Sequence, residues 1–122
     1  MTLDVTLEEV ARRLGEPGFV VLDVRTLGEY TGEAVAPCDP RPGRIPGARH
    51  VELGELLALT PEELRAKLGP AEGRELVTYC HSGSRSDLAG QVLRAAGYDA
   101  RNYRGSWHEW SRDESLPAET GI

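Results

Sequence analysis

Two short apolar segments constrain the fold more than any other feature of the sequence. Phe19 to Val24 is a continuous apolar run with one acid, Asp23, and Leu76 to Tyr79 is a second, mainly apolar run. Runs without polar alternation are typical of strands that are buried on both faces. Because such strands need cover on each side, the two runs predict a parallel sheet within an α/β domain.

Helical patterns alternate with these strands. A capping box, in which a threonine and a glutamate three residues later exchange hydrogen bonds, opens one helix at Thr6 and another at Thr60. Apolar residues at helical spacing cover Leu88 to Ala96. Ala100 to Tyr103 predicts a short strand, and Gly105 to Trp110 predicts a last helical turn. The alternation therefore predicts α/β class, with a central parallel sheet of about five strands and helices on both faces.

Composition predicts a single globular domain. The chain has 122 residues, of which 39% are hydrophobic and 28% charged, as in ordinary soluble domains. We expect the domain to span residues 1–122, with loosely packed termini at 1–3 and 116–122. The net charge of -6 argues against nucleic acid and an anionic membrane as partners. The first residues lack the regions of a secretory signal, and no apolar run is long enough to span a bilayer. The expected location is therefore cytoplasmic.

The segment after the second apolar run carries the candidate chemistry. Cys80 is the first residue of a short polar loop, Arg85 closes the loop, and we place the start of the next helix at Ser86. Such a loop directs several backbone N–H groups at one point, and the helix dipole adds positive charge there. These effects stabilise an anion: the Cys80 thiolate, an anionic substrate, or both in turn. Asp23 and Arg25 fall at the end of the first run, and sites in such sheets form at the carboxyl ends of strands.

The cysteines and histidines do not show metal-ligand spacing. Cys38 and Cys80 are too few for a disulfide framework, and no CxxC or paired-histidine pattern accompanies them. His50, His81 and His108 are also widely separated. We therefore predict no metal and no organic cofactor. In a reducing compartment, a lone cysteine beside an arginine is expected to be reactive rather than structural.

Four blocks of sequence together resemble a rhodanese-like domain. They are Leu22-Asp23-Val24-Arg25 with Glu29-Tyr30, then Gly43-Arg44-Ile45-Pro46-Gly47-Ala48, then Cys80-x-x-Gly83-x-Arg85-Ser86, and finally Tyr103-x-Gly105-Ser106-Trp107-x-x-Trp110. The blocks occur in that family's order and extend over essentially the whole chain. Arg44 stands where the family usually has histidine. With its long Thr31–Pro42 stretch, the chain is similar to the catalytic C-terminal half of two-domain thiosulfate and mercaptopyruvate sulfurtransferases.

The resemblance implies a thiosulfate sulfurtransferase. Cys80 is then the nucleophile, which takes a sulfur atom from a small-molecule donor, holds it as a persulfide, and passes it to cyanide or a thiol, including a protein thiol. A helix N-terminus and a nearby cation can lower a cysteine pKa from about 8.5 to roughly 3.5–7.5. We favour thiosulfate as the donor because the loop is cationic. The implied substrate and anion site comprises His81, Ser82, Gly83, Ser84, Arg85 and Ser86, with Asp23 and Arg25 as supporting residues.

Several of these residues have two interpretations. Arg85 can bind the oxygens of the donor through its planar fork or brace the loop through backbone carbonyls, and the two roles are compatible. Asp23 and Arg25 are interpreted first as a structural ion pair, with positioning of the anion by Arg25 as the alternative. Cys38 is interpreted as an exposed residue rather than a resolving thiol.

Other residues near the loop also have two interpretations each. His81 either adds positive charge at low pH or is an ordinary polar loop residue. The loop serines can donate hydrogen bonds to a persulfide or cap the helix, and Ser86 is the best placed as a cap. Trp107 and Trp110 are expected mainly to pack in the core, with substrate contact as the alternative.

Two other functions stay open at this stage. Cysteine phosphatases and arsenate reductases use a similar loop but have five residues between cysteine and arginine. This chain has four, from His81 to Ser84, and the tighter loop suits sulfur better than a phosphoryl or arsenyl centre. The other alternative is a sulfur-relay or partner-binding module with little turnover of small molecules, which needs the same intact loop.

Overall fold

A computed structural model describes residues 3–121 and shows a five-stranded sheet. Met1, Thr2 and Ile122 lie outside the described residues. The loose packing expected of the chain termini stays a prediction for these three residues. The strands are β1 (Asp4–Val5), β2 (Phe19–Asp23), β3 (Arg49–His50), β4 (Glu75–Tyr79) and β5 (Asp99–Tyr103). The helices are α1 (Leu7–Arg13), α2 (Leu27–Thr31), α3 (Leu53–Ala58), α4 (Pro61–Leu68), α5 (Ser84–Ala95) and α6 (Ser106–Trp110).

All neighbouring strands are parallel, in the order β1-β5-β4-β2-β3. Side chains from the central strands alternate between two hydrophobic cores. Val21 and Val77 face the core covered by α1 and α6, whereas Leu22 and Leu76 face the core covered by α3, α4 and α5. Both faces are therefore buried, which explains the unbroken apolar runs. The predicted α/β class, with five parallel strands and helices on both faces, is confirmed.

The helix starts follow local chemistry. Thr60 and Glu63 form the predicted capping box at α4, and the Thr6 hydroxyl accepts the Glu9 N–H at α1. The sequence analysis missed the short elements α2, α3, β1 and β3, which have two to six residues each. Within residues 3–121 no helix has the length and apolar character needed to cross a membrane.

The C-terminal segment 116–121 is held against the connection 32–48, which joins α2 to β3. Arg44 and Glu119 exchange backbone hydrogen bonds of 2.9 and 3.0 Å, and the Gly121 N–H donates to the Thr31 carbonyl at 2.8 Å. The Arg41 guanidinium donates to four carbonyl oxygens, those of Trp110, Ser111, Asp113 and Leu116. These contacts attach the segment to the connection, although residues 117–121 are exposed, and the loose packing expected for 116–122 stays a prediction.

Replacing Arg41 with alanine should lower the free energy of unfolding by about 2–3 kcal/mol, because several carbonyls lose a charged donor together. Urea unfolding measures the change. The matched control is Lys67→Ala, which removes a partly exposed cation paired with Glu55 and should cost less than about 1 kcal/mol. Equal losses in both variants would contradict a structural role for Arg41.

Candidate active site

The candidate site lies where β4 leads into α5. Gly83 is the N-cap of α5 and has a φ of 97°, in the left-handed region that favours glycine. A Cβ atom at this position would lie 2.6 Å from the carbonyl oxygen of Arg104. Glycine is therefore required at this turn, which brings the first residues of α5 back towards Cys80.

Hydrogen-bond donors surround the sulfur of Cys80. The N–H nitrogens of Gly83 and Ser86 are 3.1 and 3.4 Å from Sγ, and the Ser86 hydroxyl oxygen is 3.3 Å away. Cys80 itself has no exposed surface. The prediction that Ser86 caps the helix is wrong: α5 begins at Ser84, so Ser86 lies in the first turn and its hydroxyl faces the sulfur.

These donors lower the pKa of Cys80. Burial raises the pKa of a thiol, because it disfavours the charged form. Here the Ser86 hydroxyl and the N–H groups of Ser86, Gly83 and Ser82 outweigh burial, so the pKa lies below that of an ordinary cysteine. The side chains of Ser82 and Ser84 are exposed, and Ser82 contributes through its backbone. Since the thiolate is the reactive form of a cysteine, an arrangement that lowers the thiol pKa can support nucleophilic chemistry at this position.

A second group of contacts fixes the loop from β5 and α6. The Ser106 hydroxyl accepts the Cys80 N–H at 3.1 Å and donates to the Tyr103 carbonyl at 2.9 Å. The Trp107 N–H donates to the Cys80 carbonyl at 3.0 Å, and the Asn102 amide donates to the Gly83 carbonyl at 3.2 Å. Ser106 has a φ of 57°, which is unusual for a residue other than glycine. The sequence analysis missed Ser106 and Asn102 as loop supports, although Ser106 lies in a block of the family resemblance.

Arg85 connects the loop to α2. Its terminal nitrogens lie 3.0 and 3.2 Å from the two carboxylate oxygens of Glu29, a bidentate pair. Burial raises the pKa of Glu29, but the Arg85 guanidinium and the Thr26 N–H outweigh it and lower that pKa to about 2. The pKa of Arg85 is raised, first by Glu29 and to a smaller extent by the Cys80 thiolate. Arg85 therefore precedes Ser86 in the first turn of α5 with its charge already partnered by Glu29.

Asp23 and Arg25 form a buried ion pair at the end of β2. Nη2 of Arg25 is 2.7 Å from Oδ2 of Asp23 and also donates to the Gly43 carbonyl at 2.7 Å. The Tyr79 hydroxyl donates to the same carboxylate at 2.7 Å, and the Arg25 guanidinium lies 5.2 Å from the centre of the Trp107 ring. These contacts satisfy both charges inside the protein, as the structural interpretation requires.

The remaining residues named from the sequence lie around this centre. Trp107 and Trp110 are buried in the core on the α6 face, as expected. Cys38 is exposed, also as expected, but it lies beside the loop, with its sulfur 3.9 Å from Nε2 of His81. The side chain of His81 is partly exposed and pairs with Asp39 at 3.0 Å. Sequence spacing did not indicate this proximity, because residue 38 belongs to a distant connection.

Alkylation of Cys80 should follow a pH profile with a midpoint below that of a small-molecule thiol. Ser86→Ala removes a donor to the thiolate and should raise that midpoint by about one pH unit. The exposed serine of the same turn supplies the control, since Ser84→Ala should leave the midpoint in place. If Ser86→Ala matches the wild-type profile, the hydroxyl does not hold the thiolate.

The chain matches a known domain family along most of its length. The family model described as Rhodanese-like domain matches residues 6–113. A Pseudomonas aeruginosa protein named "Probable 3-mercaptopyruvate sulfurtransferase" is 39% identical over 119 residues, an alignment that covers 89% of this chain and 42% of that protein.

Solved structures show the same similarity. One, titled "Crystal Structure of Probable Thiosulfate Sulfurtransferase", has a TM-score of 0.81 and 47% identity, and it covers 94% of this chain and 46% of the other. Another is a variant of EanB with ergothioneine covalently linked to a persulfide cysteine. It has a TM-score of 0.84 and 29% identity, with 98% of this chain and 32% of that chain covered. The chain thus spans less than half the length of these relatives.

Proposed function

The chain belongs to the rhodanese-like domain family, and from this premise we propose that it is a sulfurtransferase that carries sulfur as a persulfide on Cys80. The observation that carries the proposal is the set of donors directed at the Cys80 sulfur, two backbone N–H groups and the Ser86 hydroxyl. The names of the relatives support the same chemistry, with mercaptopyruvate or thiosulfate as the donor.

In the first half-reaction, the Cys80 thiolate attacks the outer sulfur of thiosulfate. A new S–S bond forms to Sγ, the S–S bond of the donor breaks, and sulfite leaves with the bonding electron pair. Negative charge then rests on the transferred sulfur. The N–H groups of Gly83 and Ser86 are fixed by the turn, so they stabilise this charge without reorganisation.

In the second half-reaction, an acceptor returns the enzyme to its starting state. Cyanide or a thiolate attacks the outer sulfur of the persulfide, and Sγ of Cys80 leaves with the electron pair as a thiolate. A low thiol pKa favours this departure, because a weakly basic thiolate is a good leaving group. The acceptor is a small thiophilic molecule or a protein thiol. The second half-reaction regenerates the Cys80 thiolate from which the first begins, so no general base is needed on Cys80 between the two steps.

We assign Arg85 as the side chain that attracts the anionic donor. It lies in the first turn of α5, its side chain is 34% exposed, and its guanidinium binds a carboxylate in a bidentate manner. The oxygens of thiosulfate present a similar acceptor geometry, so the donor competes with Glu29 for this group. Because Cys80 is buried, entry of the donor requires neighbouring side chains to move, and exchange of the Glu29 contact is one such movement.

Intact-mass analysis tests the persulfide directly. Thiosulfate should add the mass of one sulfur atom to the protein, and cyanide should remove it. Cys80→Ser should show neither change, whereas Cys38→Ser should still gain the sulfur atom. Mercaptopyruvate in a parallel reaction identifies the better donor.

A sulfur adduct on Cys80→Ser would end the proposal. Faster turnover of an aryl phosphate than of thiosulfate by the wild type would favour the phosphatase alternative instead.

If Arg85 binds thiosulfate, substitutions of Arg85 and of its partner Glu29 should change the KM for thiosulfate in opposite directions. Arg85→Ala should raise KM by about tenfold, because a charged hydrogen bond to the donor is lost. Glu29→Gln should lower KM, because the guanidinium loses its competing carboxylate while glutamine can still complete the capping box at Thr26. Glu33→Gln removes the same charge from an exposed site and should leave KM nearly unchanged. If KM stays constant in all three variants, Arg85 does not bind the donor.

A further inference from the structure

Four metal-ligating side chains lie together beside the Cys80 loop. They are Cys38, Asp39, His81 and His108, and the ligand atoms of the group all lie within 4.8 Å of one another. Nε2 of His81 is 3.0 Å from Oδ2 of Asp39 and 3.9 Å from Sγ of Cys38, and Nδ1 of His108 is 3.7 Å from Oδ1 of Asp39. The sulfur-transfer steps above use none of these side chains.

We propose that this group binds one Zn²⁺ ion in tetrahedral coordination. Zinc lies about 2.3 Å from a thiolate sulfur and about 2.0–2.2 Å from nitrogen or oxygen, so neighbouring ligand atoms are roughly 3.3–3.7 Å apart. The separations of 3.0, 3.7 and 3.9 Å bracket that range, so small side-chain movements suffice. One thiolate, two imidazoles and one carboxylate suit zinc, whereas magnesium and calcium prefer oxygen ligands throughout.

The charges at the site also favour a divalent cation. The Asp39 side chain is only 2% exposed, and Nη1 of Arg112 is 3.2 Å from its Oδ1. Arg112 opposes a cation, but the Asp39 carboxylate and the Cys38 thiolate, which forms when the ion displaces the thiol proton to solvent, together supply two negative charges. Nε2 of His81 lies 3.2 Å from Oδ1 and 3.0 Å from Oδ2 of Asp39, so one carboxylate oxygen can bind the ion while the other stays with Arg112. Arg112 then serves as the outer partner that orients the ligating carboxylate.

The backbone holds the ligands in place before an ion arrives. The His108 N–H donates to the His81 carbonyl at 2.9 Å, which fixes the two histidines relative to each other. Arg112 also donates to the Cys38 carbonyl, and the Asp39 N–H donates to the Ala36 carbonyl at 2.9 Å. Three separate parts of the fold meet here: the 32–48 connection, the Cys80 loop and α6. A bound ion therefore joins the long connection to the loop that carries the nucleophile.

Titration of chelator-treated protein with Zn²⁺, followed by calorimetry, tests the proposal. One equivalent should bind to the wild type and to Cys80→Ser, which excludes the candidate nucleophile as the ligand. Cys38→Ser and His108→Ala should each weaken zinc binding by about a hundredfold. Loss of a ligand should cost at least as much affinity as loss of an outer partner that only orients a ligand. His50→Ala changes a histidine outside the group and should bind as the wild type does.

Two further measurements identify the coordination. Co²⁺ in place of Zn²⁺ should give the visible absorption of a tetrahedral site and a thiolate charge-transfer band, and Cys38→Ser should lose that band. Zn²⁺ should also raise the Tm of the wild type but not that of His108→Ala. Both altered ligands are partly or fully exposed, so circular dichroism should show folded variants. The proposal is overturned if folded wild type binds no equivalent, or if binding survives in Cys38→Ser and His108→Ala but is lost in Cys80→Ser.

Discussion

The hydrogen bond between the Cys80 N–H and the Ser106 hydroxyl is the contact on which the arrangement of the site depends. It joins the end of β4 to the start of α6, and the same hydroxyl continues to the Tyr103 carbonyl at the end of β5. This hydrogen bond fixes the position of Cys80, the first residue of the loop. The left-handed turn at Gly83 then directs the first turn of α5 towards the Cys80 sulfur. The N–H groups that lower the Cys80 pKa are therefore positioned by strands and helices on both sides of the loop, not by the loop sequence alone.

A buried ion pair near this site is stabilised mainly by its hydrogen bonds to neighbouring groups. Asp23 and Arg25 contribute little by attraction alone, since removing both charges from water is costly. Additional hydrogen bonds stabilise the buried pair. The Tyr79 hydroxyl donates to the Asp23 carboxylate, and the Gly43 carbonyl accepts from the Arg25 guanidinium. The pair consequently ties β2, β4 and the 32–48 connection to one point beneath the loop. Arg85 differs, because its side chain is 34% exposed and its charge is paired with Glu29 outside the core.

Sequence alone predicted the sheet, its parallel direction and the position of Cys80, because apolar runs and capping boxes are local signals. It missed β1 and β3, whose two residues each are too short for a periodic pattern. It misplaced the start of α5, since the left-handed turn at Gly83 moves the first helical residue to Ser84. The Arg85–Glu29 pair and the group around Asp39 depend on residues that are far apart in sequence and meet only through the fold. Spacing rules cannot detect such groups.

The lengths of the outermost strands have a consequence for how copies of the protein meet. β1 and β3 are the two edges of the sheet, and each contains two residues. A sheet edge offers unpaired backbone groups on which a strand from another molecule can form, and very short edges leave little room for such pairing. The apolar strand β4 is enclosed between β2 and β5, whereas β3 pairs with β2 at Leu22 and Asp23. The arrangement therefore shields β4 from edge-to-edge association between molecules.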